Sequence, residues 1–507
     1  MPVTLGKQPS SAFTSRGLRK AIDDHIEEAQ ELYLADQIPW VVGYSGGKDS
    51  TAALQIVWMA LNDLKPAERT KPVYVISTDT LVENPVVAAW VNQSLETMGK
   101  VAKLRGLPLE AHRLVPDIND TYWVNLIGRG YPAPRHKFRW CTERLKINPS
   151  NRFISNVVKA NGEAILVLGT RKAESAKRAL SMKKLEEQRI RDRLSPNASL
   201  PNSLVYSPIE NWTNDDVWLF LMQYRNPWGI KNKDLLTMYQ GASEGGECPL
   251  VIDTSTPSCG DSRFGCWVCT IVDEDKSMKA MIQNDEEKEW MLPLLELRNE
   301  LGQSDDRHLR DFRRITGKVQ LFHDQPIPGP YTQATRERLL RRVLDVERWV
   351  RKNGPSYVRN IELITREELD EIRRIWVVDK HEMEDTLPRI YTEATGDPFT
   401  EELDDGRVFG AEEIALLRNL CGDDTLHFEL ARELLDIEWR FRTMARRAGL
   451  FDEMEKAFEK SFYEDERDAT NRARRRRDAL EAAGKGRPAQ LSLLSLSGIE
   501  HSEKNES

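Results

Sequence analysis

The sequence predicts an α/β fold, a Rossmann-like and mostly parallel sheet followed by a cysteine-rich lobe and an α-helical carboxyl-terminal domain. Three observations support it. Short β-branched or leucine-rich runs alternate with amphipathic segments over the first 235 residues, the pattern of strands covered on both faces by helices. The first such run opens into Ser45-Gly46-Gly47-Lys48-Asp49-Ser50, a glycine turn leading into a helix. Beyond residue 330, apolar residues recur at spacings of three and four in several long segments.

At 507 residues the chain exceeds one core, and its composition divides it into a sheet domain (1–235), a cysteine-rich lobe (236–300), a helical domain (301–484) and a polar tail expected to be disordered (485–507). With 73 basic against 81 acidic residues the whole molecule is not a generic polyanion binder, so any nucleic-acid contact must come from local patches. No run approaches the ~20 apolar residues that span a bilayer, and the amino terminus lacks a signal-peptide core. The expectation is a cytoplasmic protein with no membrane partner, in which six cysteines do not serve as structural disulfides.

Apolar residues at Leu18, Ile22, Ile26, Ala29 and Leu32 predict an amphipathic helix behind a loose arm at 1–15. Strands are expected at 41–43, 73–80, 109–115 and 165–171. Ligands of open α/β sheets bind beyond the carboxyl ends of strands, which brings Ser77, Asp79 and Thr80 beside the glycine turn. Asp79 could equally cap a helix over 86–98. The charged stretch 183–201 reads as a mobile loop or lid. Thr213 and Asp216 form a capping box, and Trp212 and Trp218 pack a domain edge. Helices follow at 336–352, 365–378, 411–420, 427–448 and 453–483.

The glycine turn is a phosphate site on chemical grounds. Gly46 and Gly47 carry no Cβ to block an anion, the helix end adds partial positive charge, and Lys48 adds a full one. A Walker A loop needs Ser or Thr after its lysine, and here Asp49 follows. Ser-Gly-Gly-Lys-Asp-Ser instead resembles the PP-loop ATP pyrophosphatases. The resemblance implies ATP, with Mg²⁺, on Ser45, Gly46, Gly47, Lys48, Asp49 and Ser50, cleaved between its α- and β-phosphates. Asp79-Thr80-Leu81 resembles the Asp-Thr-Gly segment of the PAPS reductases, with Leu81 in the glycine's place. Gly169-Thr170-Arg171 with Glu174, Ser175 and Arg178 resembles a second element of that group, implying that Gly169 borders the nucleotide and that Arg171 and Arg178 contact the α-phosphate. Ordinary surface ion pairs are the alternative for both arginines.

Between Pro132 and Pro149, Arg135, Lys137, Arg139, Arg144 and Lys146 interleave with Phe138 and Trp140, a composition suited to a phosphate-bearing substrate. Basic neighbours predict a lowered thiol pKa for Cys141, which would carry a persulfide or line the pocket. Cys421 reads as a small buried hydrophobe. Cys248, Cys259, Cys266 and Cys269 have the spacing C-x10-C-x6-C-x2-C, in which four thiolates suit a structural zinc or a [4Fe–4S] cluster.

Together these motifs, over about residues 35–300, resemble the DndC family, ATP pyrophosphatases and sulfurtransferases of DNA phosphorothioation. The resemblance implies a [4Fe–4S] cluster on the four cysteines, a cysteine desulfurase as sulfur donor, and DNA as substrate within a complex of modification proteins. Lys48, Asp49, Arg171, Arg178 and Cys141 are the expected catalytic residues. Arg472-Ala473-Arg474-Arg475-Arg476-Arg477 could grip DNA phosphates, or pair within its own helix with the acidic residues before it. The rivals are a sulfonucleotide reductase, whose Glu-Cys-Gly-x-His segment these residues lack, a PP-loop tRNA thiolase, and a nucleotide-sensing scaffold without chemistry.

Overall fold

The computed structural model describes residues 11–189, 191–243, 264–400, 410–442, 444 and 446–483. The described residues fall into two compact units, one within Met1–Asp306 and Tyr331–Gly406, the other within Arg307–Pro330 and Arg407–Ser507. The stretch 301–484, read from periodicity as one helical domain, is thus distributed over both.

The first unit is built on a six-stranded sheet in the order β3-β2-β1-β4-β6-β5. Its strands are β1 (Trp40–Gly43), β2 (Val73–Thr78), β3 (Leu109–Leu114), β4 (Ala164–Val167), β5 (Ser195–Pro196) and β6 (Ser203–Tyr206). All neighbours pair in parallel except β5, which runs antiparallel to β6. Val42 stands between Val75 and Val167 in the register. Val41 and Val42 are buried, as a strand sandwiched between helix layers requires.

Helix α1 (Leu18–Leu34) has the predicted bounds and buries Ala21, Ile22, Ile26, Ala29 and Tyr33. Helix α2 (Lys48–Asp63) is buried along nearly every side, which explains a sequence with little polar face. Helix α3 (Pro85–Leu104) is capped by Asn84, whose side chain accepts from the Val86 amide at 3.0 Å; Asp79 does not cap it. A single turn α4 (Trp140–Thr142) continues through a wide turn, Glu143–Ile147, into α5 (Asn148–Asn161).

The expected lid at 183–201 carries regular structure in part: α6 (Ala176–Glu186) runs into it, and β5 joins the sheet edge. The arm is also anchored where it is described, with the Ser11 hydroxyl and Ala12 amide donating to the Asp216 carboxylate at 2.5 and 3.0 Å and Phe13 buried. Helices α7 (Asn214–Gln223), α8 (Asn232–Gly241), α9 (Lys276–Asn284) and α10 (Leu292–Leu301) follow. Trp212 and Trp218, expected at a domain edge, lie in the hydrophobic core.

Helices α11 (Gln333–Asn353), α12 (Arg366–Arg374) and α13 (Leu387–Thr395) pack into the same unit. Two indoles link them to the sheet domain, Trp123 donating to the Leu363 carbonyl at 2.6 Å and Trp376 to the Ile127 carbonyl at 3.0 Å. Arg336 and Glu382, both buried, form an ion pair.

The second unit has a hairpin, β7 (Leu321–Phe322) and β8 (Gln325–Pro326), and helices α14 (Ala411–Cys421), α15 (Thr425–Arg442), α16 (Leu450–Ser461) and α17 (Glu466–Ala483). The helix expected over 453–483 is two helices, with Phe462 leaving helical geometry at the break. Cys421 is half-buried, not buried.

Candidate functional site

The strand order reverses at β1: the chain steps outward through β2 and β3, then returns to pair β4 on the other side of β1. Loops leaving adjacent strands in opposite directions open a crevice at this point, where ligands of open α/β sheets bind. A cleft of about 1340 Å³ lies here, bordered by the loop after β1, the ends of β2 and β4, and α6.

Local sequence shapes the loop. Gly46 has φ +74°, in the left-handed region, and a Cβ there would run into Val91 and Trp90. The Trp90 indole fixes the turn by donating to the Gly46 carbonyl at 3.1 Å. Gly47 is the N-cap of α2 without a side-chain cap; the Lys48 amide reaches the Tyr239 hydroxyl at 3.4 Å, and the next amides of the first turn remain available to an anion. The Ser50 hydroxyl accepts from the Ser45 amide at 3.2 Å and lies 3.1 Å from the Ser45 hydroxyl. The Lys48 ammonium stands 5.3 Å from the Tyr239 ring centre and 3.4 Å from Asp49.

Asp49 faces inward. Its Oδ1 accepts from Arg171 Nε at 2.8 Å, and Arg171 Nη1 donates to the Trp212 carbonyl at 3.2 Å. The Trp212 indole in turn donates to His25 Nε2 at 3.1 Å. Burial holds the His25 pKa below its ordinary value and keeps that nitrogen an acceptor. Arg171 is 4% exposed and braces the loop from behind. Gly169 does the same by absence: a Cβ there would stand 2.5 Å from the Asp49 carbonyl oxygen and 2.8 Å from the Ser50 amide nitrogen. Arg178 borders the cleft half-exposed, paired with Glu174 at 3.4 Å.

Ser77 and Asp79 also border the cleft. Asp79 Oδ1 accepts from the Leu81 amide at 2.8 Å, and its Oδ2 accepts from Arg113 Nε at 2.8 Å. Leu81 has φ +64°, so the turn that usually employs glycine keeps its geometry with a leucine in it. Thr80 is fully buried and turns away from the cleft, its hydroxyl 3.1 Å from Glu83 and 3.3 Å from the Cys266 sulfur.

That contact joins the cleft to the cysteines. The Asn84 amide donates to the Gly265 carbonyl at 3.2 Å and the Trp267 amide to the Val82 carbonyl at 2.9 Å, so 82–84 pairs antiparallel with 265–267. Lys146 reaches Glu83 at 3.4 Å, and both border the cleft. Cys266 and Cys269 form a tight knuckle, the Cys269 amide donating to the Cys266 carbonyl at 3.0 Å. Arg298, 1% exposed, donates to the carbonyls of Cys269 at 2.9 Å, Asp273 at 2.8 Å, and Val272. Burial pushes the Cys266 thiol up to about 12.

Cys248 and Cys259 lie outside the described residues. Among the described residues no three His, Cys, Asp or Glu side chains converge as metal ligands do. The described half is a two-thiol knuckle held by one arginine, which ties back the carbonyls of Cys269, Val272 and Asp273, an arrangement that suits a thiolate-held centre.

Cys141 requires a correction. Burial raises its thiol pKa, and the basic neighbours do not reverse this. Of those neighbours, Arg135 pairs with Asp306 at 3.0 Å and Arg144 with Asp120 at 2.7 Å, leaving Lys146 as the member of the basic segment that borders the cleft. In the second unit, Arg472 pairs with Asp468 at 2.8 Å and Arg477 with Asp324 at 2.5 Å, while Arg475 and Arg476 are exposed.

Sequence reasoning missed Trp90, Tyr239, Arg113, Glu83 and Arg298 as site builders. Trp90, Tyr239, Arg113 and Arg298 sit in helices or strands whose own periodicity explains them, so no local signal marked them, and Glu83 lies in the loop before α3. Glu83 and Arg113 alone could have been suspected, by nearness to Asp79 in the chain and in the adjacent parallel strand.

Residues 39–229 match the family model described as the phosphoadenosine phosphosulfate reductase domain. Over 191 residues the chain is 26% identical to the uncharacterized protein MJ0066 of Methanocaldococcus jannaschii, covering 38% of this chain and 32% of that protein. The match therefore spans about a third of the relative's length. The crystal structure of phosphoadenylyl-sulfate (PAPS) reductase from Candida auris, phosphate complex, aligns with 45% of this chain and 93% of that one, at 14% identity and a TM-score of 0.27. No helix among the described residues is long and apolar enough to cross a membrane. The loop and its bracing arginine both lie within the residues, 39–229, that match the PAPS reductase domain model.

Proposed function

We propose that this protein is an ATP pyrophosphatase and sulfurtransferase that replaces a phosphate oxygen of the DNA backbone with sulfur. The reading rests above all on the hydrogen-bonded pairing of 82–84 with 265–267, which sets a half-buried thiol pair behind the wall of the cleft. Sulfur chemistry and phosphate activation would then share one site.

ATP lies with its β- and γ-phosphates on the bare end of α2 and on Lys48, helped by Mg²⁺, which shares the phosphate charge. A non-bridging oxygen of a DNA phosphate attacks the α-phosphorus, and pyrophosphate leaves with the bonding pair. The adenylylated oxygen is now a good leaving group. A sulfur nucleophile at the oxidation level of sulfide attacks the DNA phosphorus, and AMP departs with that oxygen. Arg178 and Lys146, both on the cleft wall, offset charge on the two phosphates. Arg171 acts through Asp49, keeping the loop in shape. An iron–sulfur centre on the cysteines, when bound, supplies a thiolate-anchored source of reactive sulfur. A cysteine desulfurase would renew that sulfur as a persulfide, which a thiol reductant brings to the level of sulfide with two electrons, and partner proteins would present the DNA.

Incubation of the protein with ATP and DNA, anaerobically and with a sulfide source, tests this. The expected products are AMP, pyrophosphate and nuclease-resistant phosphorothioate dinucleotides detected by mass spectrometry. Release of ADP overturns the reading. Thioredoxin-dependent sulfite release from PAPS would replace it with the reductase reading, which the family match equally accommodates.

A further inference from the structure

Tyr239 stands over the phosphate loop and has no task in the reaction outlined above. It belongs to α8, beyond the residues 39–229 that match the family model, and is 6% exposed. Its hydroxyl lies at the open end of α2. The Lys48 amide donates to it at 3.4 Å, and a Cβ on Gly47 would come within 3.2 Å of it. The side chain borders the cleft together with Lys48, Asp49 and Ser50.

A tyrosine hydroxyl is both a donor and an acceptor. Here the acceptor side takes the Lys48 amide, at the long end of hydrogen-bond distances, and among the described residues no acceptor takes the hydroxyl hydrogen. Burial, and then the charge of Asp49, hold the pKa above its ordinary value, so that hydrogen is present at working pH. Packing fixes the ring. Trp218 meets it edge-on at 5.1 Å and Phe264 at 4.6 Å, with 83° and 79° between planes. The Lys48 ammonium lies 5.3 Å from its centre, so the same ring steadies the lysine of the loop. A rigidly held O–H, a backbone N–H and an ammonium thus share the end of a helix, where negative charge is favoured. A phosphate oxygen accepting from the first two replaces one long neutral contact with two charge-assisted bonds.

We propose that the Tyr239 hydroxyl donates a hydrogen bond to a phosphate seated on the glycine loop, and so favours ligands that carry a diphosphate group over those with a single phosphate. The proposal rests on the reading of this loop as the seat of the β- and γ-phosphates of ATP, which AMP lacks. As the bond between the α- and β-phosphates breaks, its electron pair adds negative charge to the departing pyrophosphate, and a fixed donor beside it offsets that charge. The proton stays on the tyrosine throughout.

The test compares full-length wild type with Tyr239→Phe by calorimetric titration with pyrophosphate, ATP and AMP in the presence of Mg²⁺, and by melting curves of the ligand-free proteins. Phenylalanine keeps the ring between Trp218, Phe264 and Lys48 and removes the oxygen alone. The expected result is pyrophosphate and ATP binding weakened roughly tenfold to a hundredfold, with AMP affinity and the ligand-free melting temperature unchanged. Equal pyrophosphate affinity in the two proteins overturns the proposal and leaves the loop standing as the ATP site. A lower ligand-free melting temperature with an equal fall for all three ligands makes the hydroxyl a structural part of the loop and also overturns it. Wild-type protein that binds neither ATP nor pyrophosphate overturns both readings.

Discussion

The phosphate loop and the cysteine knuckle lie on two sides of one short pairing, 82–84 with 265–267, and are built on opposite principles. The loop is finished by the protein itself: Asp49 leans on Arg171, Arg171 on Trp212 and Trp212 on His25, so its charged support is satisfied before any ligand arrives. Only backbone amides at the helix end are left open, and water can serve them when no nucleotide is bound. At the knuckle, Arg298 satisfies the carbonyls, while the Cys266 and Cys269 thiols stand half-buried with no complete ligand set around them among the described residues. The first arrangement suits a ligand that comes and goes each turnover. The second suits a group that stays.

Substitutions can break or sharpen that contrast. The largest expected effect is at Gly169, where alanine would push on the Asp49 and Ser50 backbone. Overpacking of this kind costs about 3 kcal/mol, so ATP affinity should fall roughly a hundredfold in calorimetric titration. Undiminished binding would mean that the loop is not held from β4.

On the other side, Arg298→Met strands three carbonyls inside the knuckle and should lower unfolding stability by about 2 kcal/mol in chemical denaturation. ATP affinity should not change, and a parallel loss would show that the two regions are one cooperative structure. Arg171→Lys is a milder test of the loop. A single ammonium cannot serve Asp49 and the Trp212 carbonyl together, so ATP binding should weaken roughly tenfold, about 1.4 kcal/mol.

His25 should make the brace pH-sensitive. Its folded pKa lies below the ordinary 6.5, so on acidification the unfolded chain takes up a proton before the folded one does. Stability is therefore present above about pH 6.5 and is lost as the pH falls below it. Melting curves of His25→Gln between pH 7.5 and 5 should be flatter than those of wild type, and identical slopes would remove histidine from the brace. The smallest effect belongs to Leu81→Gly, which relieves a left-handed leucine but frees the unfolded chain; the two nearly cancel, leaving stability within about 1 kcal/mol of wild type.

Much of the phosphate loop was legible in the sequence because it depends on short-range chemistry: two glycines, a lysine and a helix start within six residues. Ser77 and Asp79 also fall on the cleft, as the end of their strand predicts, and Arg178 borders it, as the resemblance implied. What failed depended on neighbours distant in the chain. The charges around Cys141 suggested an acidic thiol, but Arg135 and Arg144 are spent on Asp306 and Asp120, and burial prevails. The charged composition of 183–201 suggested a lid, yet Ser195 and Pro196 find a sheet edge to join. Thr80 read as a nucleotide contact, and it turns inward to Cys266. Helical periodicity ran from 453 to 483 without revealing the break at Phe462.

By itself the sequence determined the strand runs, the helix faces and the glycine turn with its lysine, because backbone sterics and hydrophobic periodicity act over a few residues. Tertiary structure alone decided which partners complete them: that Gly169 makes room for the Asp49 backbone, that Arg171 reaches back to brace the loop, and that a thiol pair stands behind the cleft wall. Those outcomes depend on burial and on contacts across a hundred or more residues, where desolvation, and not local composition, sets the charge and the hydrogen bonding of each group.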